Sequence, residues 1–334
     1  MKWRMKECIA AAVLLAMLIA FFFLSAVIFL PERYDYGATW SMFEAEDENS
    51  IDVMFFGSSF AYCDIVPAVL WEDLGCSAYV MAGPRQTLPI TYYYLREVYR
   101  TQTPCMIFVE VTGAFFPQYT DYTRVNIGYM PWSVNRLAAT IYAAERSEQL
   151  GLLFPLYNYH DRWDELEKSD YDKALYGSAP DPLAGYTFLS ESEDVTNDIQ
   201  ERETECDLDN YEKNVQYLQK IAALGQKKGS QVIFYLSPSY LRYNAQYSAM
   251  LAKDIGAIDG AVFLDFNDSF DALQIDDSVD FYDHGHFNYR GAEKFTHAVA
   301  QVIDAAGVSL PDRKDSALWQ ERLDFFHDKV ASAQ

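Results

Sequence analysis

The sequence predicts an α/β protein: a doubly wound, mostly parallel sheet of the flavodoxin-like three-layer kind, carrying an aromatic-rich insertion and an N-terminal transmembrane helix. Three observations predict it. Short apolar runs recur without polar alternation, as strands covered on both faces require. Longer helix-like stretches separate them, the rhythm of a sheet with helices on both sides. Residues 1–30 differ in kind, being an unbroken apolar stretch led by Lys2, Arg4 and Lys6.

That stretch runs from Cys8 to Leu30 and is closed by Pro31. About 20 apolar residues suffice to cross a bilayer as a helix. The stretch exceeds the roughly 7–15 residues of a cleaved signal's apolar region, and Leu24-Ser25-Ala26 is only an approach to a cleavage site. Basic residues ahead of a span stay in the cytoplasm, so a single-pass cell-membrane protein with an extracytoplasmic domain is expected. Residues 31–50 read as an acidic linker. The α/β domain is expected over 51–310, with strands at Val53–Phe56, Ala78–Met81, Met106–Val111, Gln231–Leu236 and Ala261–Leu264. Helices are expected at Pro67–Leu74, Leu88–Arg100, Leu208–Lys228 and Arg290–Ala306. Residues 114–206 break the rhythm and are rich in Tyr, Trp, Phe and Pro. They read as an insertion, partly helical around Ser133–Leu150, that builds a cap or substrate wall. Residues 311–334 read as a C-terminal surface helix.

The formal charge of −23 argues against nucleic acid or an anionic surface as partner. It suits the solubility of an extracellular domain. Five cysteines include no Cys-x-x-Cys pair, so a zinc or thioredoxin-type site has little support, and a Cys63–Cys76 bridge is conceivable. No cofactor is expected. Aromatic residues make up 16% of the chain, and their concentration in the insertion suits a carbohydrate-facing groove.

Two short segments carry chemistry. Gly57-Ser58-Ser59 follows the first strand, where a turn can lift a serine hydroxyl to the sheet's rim. Asp283-His284-Gly285-His286 precedes the last long helix, and a carboxylate three residues before a histidine can hold its Nδ1–H and fix the tautomer of a base. Together they are the parts of a nucleophilic triad: Ser59, His286 and Asp283. Taken singly, each has a plainer reading. Gly-Ser-Ser can be a tight turn with a helix N-cap, Ser58 can replace Ser59, and His284 can compete for Asp280 or Asp283. Asp-His-x-His can also offer metal ligands, and Asn288 can cap the following helix.

These blocks resemble the SGNH (GDSL-like) hydrolases, whose catalytic serine is third in a Gly-Asp-Ser-like motif and whose last block is Asp-x-x-His. The resemblance spans about residues 51–305 and implies an SGNH-hydrolase-like fold. It implies an oxyanion hole from the N–H groups of Ser59 and Gly83, the latter in Val80-Met81-Ala82-Gly83-Pro84. The family's third block usually adds an asparagine, whereas here the third strand runs into Val109-Glu110-Val111-Thr112-Gly113. Arg85 or Gln86 could assist instead. The chain is similar to the membrane-anchored branch that includes the D-alanine transfer protein of teichoic acid modification and polysaccharide O-acetylation proteins. That likeness implies a serine esterase or acyltransferase acting on O-acyl groups of cell-surface glycopolymers, beside a membrane-bound O-acyltransferase. Tyr157-Asn158-Tyr159-His160-Asp161-Arg162-Trp163 resembles the same branch, which makes His160 and Arg162 candidate substrate contacts. The alternative is a catalytically silent protein of the same fold that binds glycan or scaffolds such a partner.

Overall fold

Five apolar runs pair into one all-parallel sheet: β1 (Val53–Gly57), β2 (Ala78–Ala82), β3 (Met106–Glu110), β4 (Gln231–Leu236) and β5 (Ala261–Asp265). The computed structural model describes residues 2–31, 40–196, 200–201 and 207–333. The strand order is β2-β1-β3-β4-β5, with Val53 in register with both Ala78 and Met106. Every residue of β1, β2 and β3 is buried, which is why these strands read as continuous apolar runs. Strand β5 lies at an edge and is only partly covered.

The chain steps from β1 outward to β2 and then crosses back to β3 on the other side. The direction of winding therefore reverses between β1 and β3. In open α/β sheets the crevice beyond the carboxyl ends of two such strands is where ligands bind.

In chain order the helices are α1 (Lys2–Phe29), α2 (Trp40–Phe43), α3 (Ser59–Asp64), α4 (Pro67–Leu74) and α5 (Leu88–Val98). The insertion carries α6 (Thr123–Gly128), α7 (Val134–Ala143), α8 (Arg146–Leu153), α9 (Pro155–Tyr159) and α10 (Lys168–Tyr176). Then come α11 (Leu208–Lys228), α12 (Ala245–Gly256), α13 (Phe270–Leu273), α14 (Tyr289–Ala305) and α15 (Ala317–Ala333). Helices α5 and α11 pack together on one face of the sheet, while α3, α4 and α14 cover the other. The three-layer arrangement expected from the sequence is thus present.

Helix α1 is long and apolar enough to cross a membrane over Arg4–Phe29. Its last turns dock against α9, α10 and the 3-10 turn His160–Asp164. Phe22 and Phe23 meet Trp132 edge-on at 6.1 and 5.4 Å. The Arg162 Nη1 donates to the Phe29 carbonyl (2.7 Å) and the Lys173 Nζ to the Leu30 carbonyl (2.8 Å), satisfying acceptors that a helix end leaves open.

Three expectations need correction. The expected linker begins to belong to the domain at residue 40. Trp40 and Phe43 are buried, and the Glu46 carboxylate forms a buried ion pair with Arg322 of α15. The remaining expected linker residues, 32–39, lie outside the described set. Helix α15 is no mere surface helix, because Trp319, Leu323 and Phe326 are buried, the helix packing on α4 and Phe326 meeting Tyr186 and Phe188. Cys63 and Cys76 are both buried and unbridged, and Cys206 lies outside the described residues.

After α10 the insertion returns as an extended strap. Val80 N–H donates to the Ala184 carbonyl (2.9 Å), Thr187 to Tyr62 (2.7 Å), and Tyr289 to Leu189 (2.8 Å). The strap therefore covers the open edge at β2 and reaches the loop ahead of α14.

Candidate active site

Strand β1 ends at Gly57, where φ is 142° and a Cβ would lie 2.6 Å from the Glu110 Cβ. Only glycine suits that close approach at positive φ. The chain then enters α3 directly. Ser58 is buried, and its N–H and hydroxyl both reach the Glu110 carboxylate, at 3.3 and 2.6 Å. The other Glu110 oxygen accepts the Thr112 N–H at 2.6 Å. The end of β3 thereby clamps the turn that follows β1. Ser58 is spoken for, and Ser59 is the serine that projects.

Ser59 Oγ lies 2.7 Å from His286 Nε2. His286 Nδ1 lies 2.9 and 3.0 Å from the two oxygens of Asp283. Asp283 also accepts the N–H groups of Gly285 (2.7 Å) and His286 (2.8 Å), so one carboxylate shapes the loop and orients the ring. Burial pulls the Asp283 carboxyl upward, but the His286 ring and these two amides outweigh it and hold it below the usual carboxylate range. The imidazole is stacked on Phe60, centroids 5.1 Å apart. Its loop is pinned further by Ser239, whose hydroxyl contacts the carbonyls of His284 and Gly285 at 3.3 and 3.2 Å. Downstream, the Asn288 side chain accepts the Arg290 N–H (3.0 Å) and caps α14, while its amide donates to Val279 O (2.7 Å).

With Nδ1–H held by Asp283, Nε2 is placed to accept the Ser59 hydroxyl proton. Ser59 opens α3, where no preceding turn takes its N–H. That amide is a donor available to an oxyanion.

The other expected site residues are placed differently. The Gly83 N–H points to the Gly57 carbonyl at 3.3 Å, extending the β1–β2 ladder, so its expected oxyanion role meets a competing acceptor. Gln86 is buried and turned to Thr91 Oγ1 (3.0 Å), away from that role. Arg85 sits at φ 42° with its guanidinium 5.3 Å over the Phe116 ring. Arg162 is committed to the end of α1 and to Asp170 (3.5 Å), and His160 opens the same exposed turn. Neither is drawn to Ser59 or His286, because this part of the insertion packs on α1. His284 faces Glu193 at 3.5 Å rather than Asp280 or Asp283. Asp280 is instead paired with Lys294 at 2.5 Å. Among the described residues no three His, Cys, Asp or Glu side chains converge as metal ligands.

Sequence reasoning missed Asp64 and misjudged Glu110. Asp64 closes α3 five residues after Ser59, fully buried, and accepts the Phe287 N–H at 3.2 Å. It ties the serine helix to the histidine loop. Burial pushes its carboxyl far above the usual range, with Glu110 and Asp283 pushing the same way. An acidic residue in Phe60-Ala61-Tyr62-Cys63-Asp64 was the available signal. At Glu110 the sequence showed only that the family's asparagine is missing, whereas its carboxylate is the acceptor that sets the serine turn. The residue beside Gly83 was also not foreseen: Asn126 of α6, buried, donates to Pro84 O at 3.0 Å and braces that turn.

No family model matches the chain, and no curated protein matches it. Among solved structures the chain is similar in outline to a Bacteroides fragilis protein described as a "putative acylhydrolase", at 10% identity over 79% of this chain and 92% of that one, with a TM-score of 0.39, a likeness too slight to assign chemistry.

Proposed function

We propose that the protein is a serine esterase or O-acyltransferase of SGNH type, anchored by α1 and acting outside the cytoplasm on O-acyl groups of cell-surface glycopolymers. The observation that carries the reading is the continuous contact from Ser59 Oγ through His286 to Asp283. Ser59 attacks the acyl carbonyl as His286 Nε2 takes its proton, and the Ser59 N–H receives the developing oxyanion. Collapse expels the alcohol, which leaves with the proton from His286. A water or an acceptor hydroxyl then gives its proton to His286 and attacks the acyl-serine, and His286 passes that proton to the Ser59 oxygen as the acyl–oxygen bond breaks. The extracytoplasmic placement rests on Lys2, Arg4 and Lys6 ahead of the span. The glycopolymer substrate, and a membrane-bound O-acyltransferase as partner, rest on the family resemblance.

The silent-protein reading draws on one observation, the engagement of the Gly83 amide. Losing one oxyanion donor costs about 2.7–4 kcal/mol in the transition state. Hydrolysis of p-nitrophenyl acetate and labelling by a fluorophosphonate probe decide between them. Ser59→Ala and His286→Ala are expected to abolish both turnover and labelling. Ser58→Ala should keep turnover while losing about 1–3 kcal/mol of stability, since a buried Glu110 oxygen loses its closer donor and keeps only the residue-58 amide at 3.3 Å. A folded wild type that neither turns over nor labels is the silent protein.

A further inference from the structure

Helices α7–α10 carry an exposed apolar surface that the proposed catalysis leaves unused. On α7, Val134, Leu137 and Ile141 fall on one face at helical spacing and are 80%, 41% and 56% exposed. Phe154, Tyr157 and Trp163 of the following segments are exposed as well, Trp163 at 72%, and Phe154 meets the same Phe22 that meets Trp132. Elsewhere on the described domain such residues are scattered, none more exposed than Leu208 at 51%. A concentration of exposed apolar side chains in one region of a folded domain marks an interaction surface.

Its position relative to α1 identifies the partner. Contacts between α1 and the insertion begin at Phe22, which meets Trp132 and Phe154 at 6.1 and 5.7 Å. The segment Arg4–Phe21 lies before them, about 18 residues or ~27 Å of helix at 1.5 Å per residue. A bilayer's hydrocarbon core is about 30 Å thick. The core's outer boundary therefore falls at the level of Phe22 and Phe23, where Trp132 and Phe154 stand. Val134 follows Trp132 by two residues, Tyr157 follows Phe154 by three, and Trp163 adjoins the Arg162 that caps α1. Aromatic side chains with an apolar body and a polar edge favour that depth. Charge does not attract this region to lipid, since residues 114–176 contain nine Asp and Glu against six Lys and Arg.

We propose that this face of the insertion is an interfacial seat, lying on the bilayer surface beside the emerging α1 and held by apolar burial in zwitterionic lipid. The proposal rests on α1 being a membrane span. Flotation of the full chain with vesicles tests that premise alone.

The test uses the full-length protein in phosphatidylcholine vesicles, in a background with Cys8, Cys105 and Cys206 replaced by serine. Single cysteines at Val134→Cys and Tyr157→Cys, with Leu318→Cys on α15 as a reference outside the insertion, each carry a fluorophore. A cooperative melt by circular dichroism, at the temperature of the unsubstituted protein, reports that each variant is folded, and two seat positions guard against failure of one. Lipids brominated near the headgroup should quench 134 and 157 several-fold more than 318, and aqueous iodide should show the reverse, with little dependence on salt. Equal iodide quenching at all three positions, with flotation intact, overturns the seat. So does shielding that disappears when the protein is diluted in lipid, which would assign the face to a second copy of the chain.

Discussion

At the scale of single residues, two adjacent serines have been given opposite fates by one carboxylate. Glu110 takes both polar groups of Ser58, and Ser59 is left to His286. Asp64 lies beneath them as a buried carboxyl whose hold on its proton is strengthened by burial. In the folded protein it keeps its proton at pH values where the unfolded chain, at the ordinary carboxylate value of 3.8, has lost it. The unfolded state then binds fewer protons, so this group's contribution to stability falls as pH rises above about 4. Asp64→Asn retains an oxygen for the Phe287 N–H and has no proton to lose. Its melting temperature should therefore gain on the wild type as pH is raised from about 4 towards 8. A constant difference between the two across that range would show that Asp64 does not titrate on unfolding. The motif residues Ser59, Asp283 and His286 were readable because their spacing is local or their types are rare. Asp64 and Glu110 were not, because a buried acid discloses its task only when its donors, Phe287 and Ser58, arrive from elsewhere in the chain.

Among the elements, the sheet was legible for the same reason that it is stable. Strands covered on both faces must be apolar throughout, and all five stand where the continuous runs placed them. Helices with plain ends were equally clear, as at Pro67 of α4 and Gly229 after α11. The region 40–50 was obscure because its acids look solvated, yet Glu46 is buried against a residue far along the sequence. The insertion was obscure because its helices lean on α1 and on α5 rather than on the sheet. Asn288 shows what an element's end does for the site. It caps α14 and fastens the loop that carries His286 two residues earlier. Asn288→Ala should cost about 1–3 kcal/mol, the loss expected when a cap and buried acceptors lose their partner. Esterase turnover should fall with it while fluorophosphonate labelling slows. Full turnover in a variant melting earlier would separate the cap from the histidine's placement.

For the molecule as a whole, the first and last parts of the domain are held together across the fold. Arg322 pairs with Glu46, donates to the Asp181 carbonyl at 3.0 Å and lies 4.5 Å over the Trp319 ring. Arg322→Ala leaves Glu46 buried and alone, a change that costs about 3–5 kcal/mol. Melting should shift downward, and proteolysis should open at α15 first. Replacing both partners with apolar residues, Glu46→Leu with Arg322→Met, should restore much of the loss. A single variant that melts like the wild type would mean that α15 is held by its apolar face alone.

The docking of α1 also bears on how the candidate active site samples its surroundings. A catalytic domain on a flexible tether sweeps a volume, and its encounter rate with a target depends on tether length. Here Arg162 and Lys173 fasten the helix end to the domain, and Phe22 and Phe23 wedge it against Trp132. The anchor is a pedestal rather than a leash. With α1 across a bilayer, Ser59 stands at one height and one tilt above the lipid, and the chemistry proposed for it is confined to groups that pass through that plane.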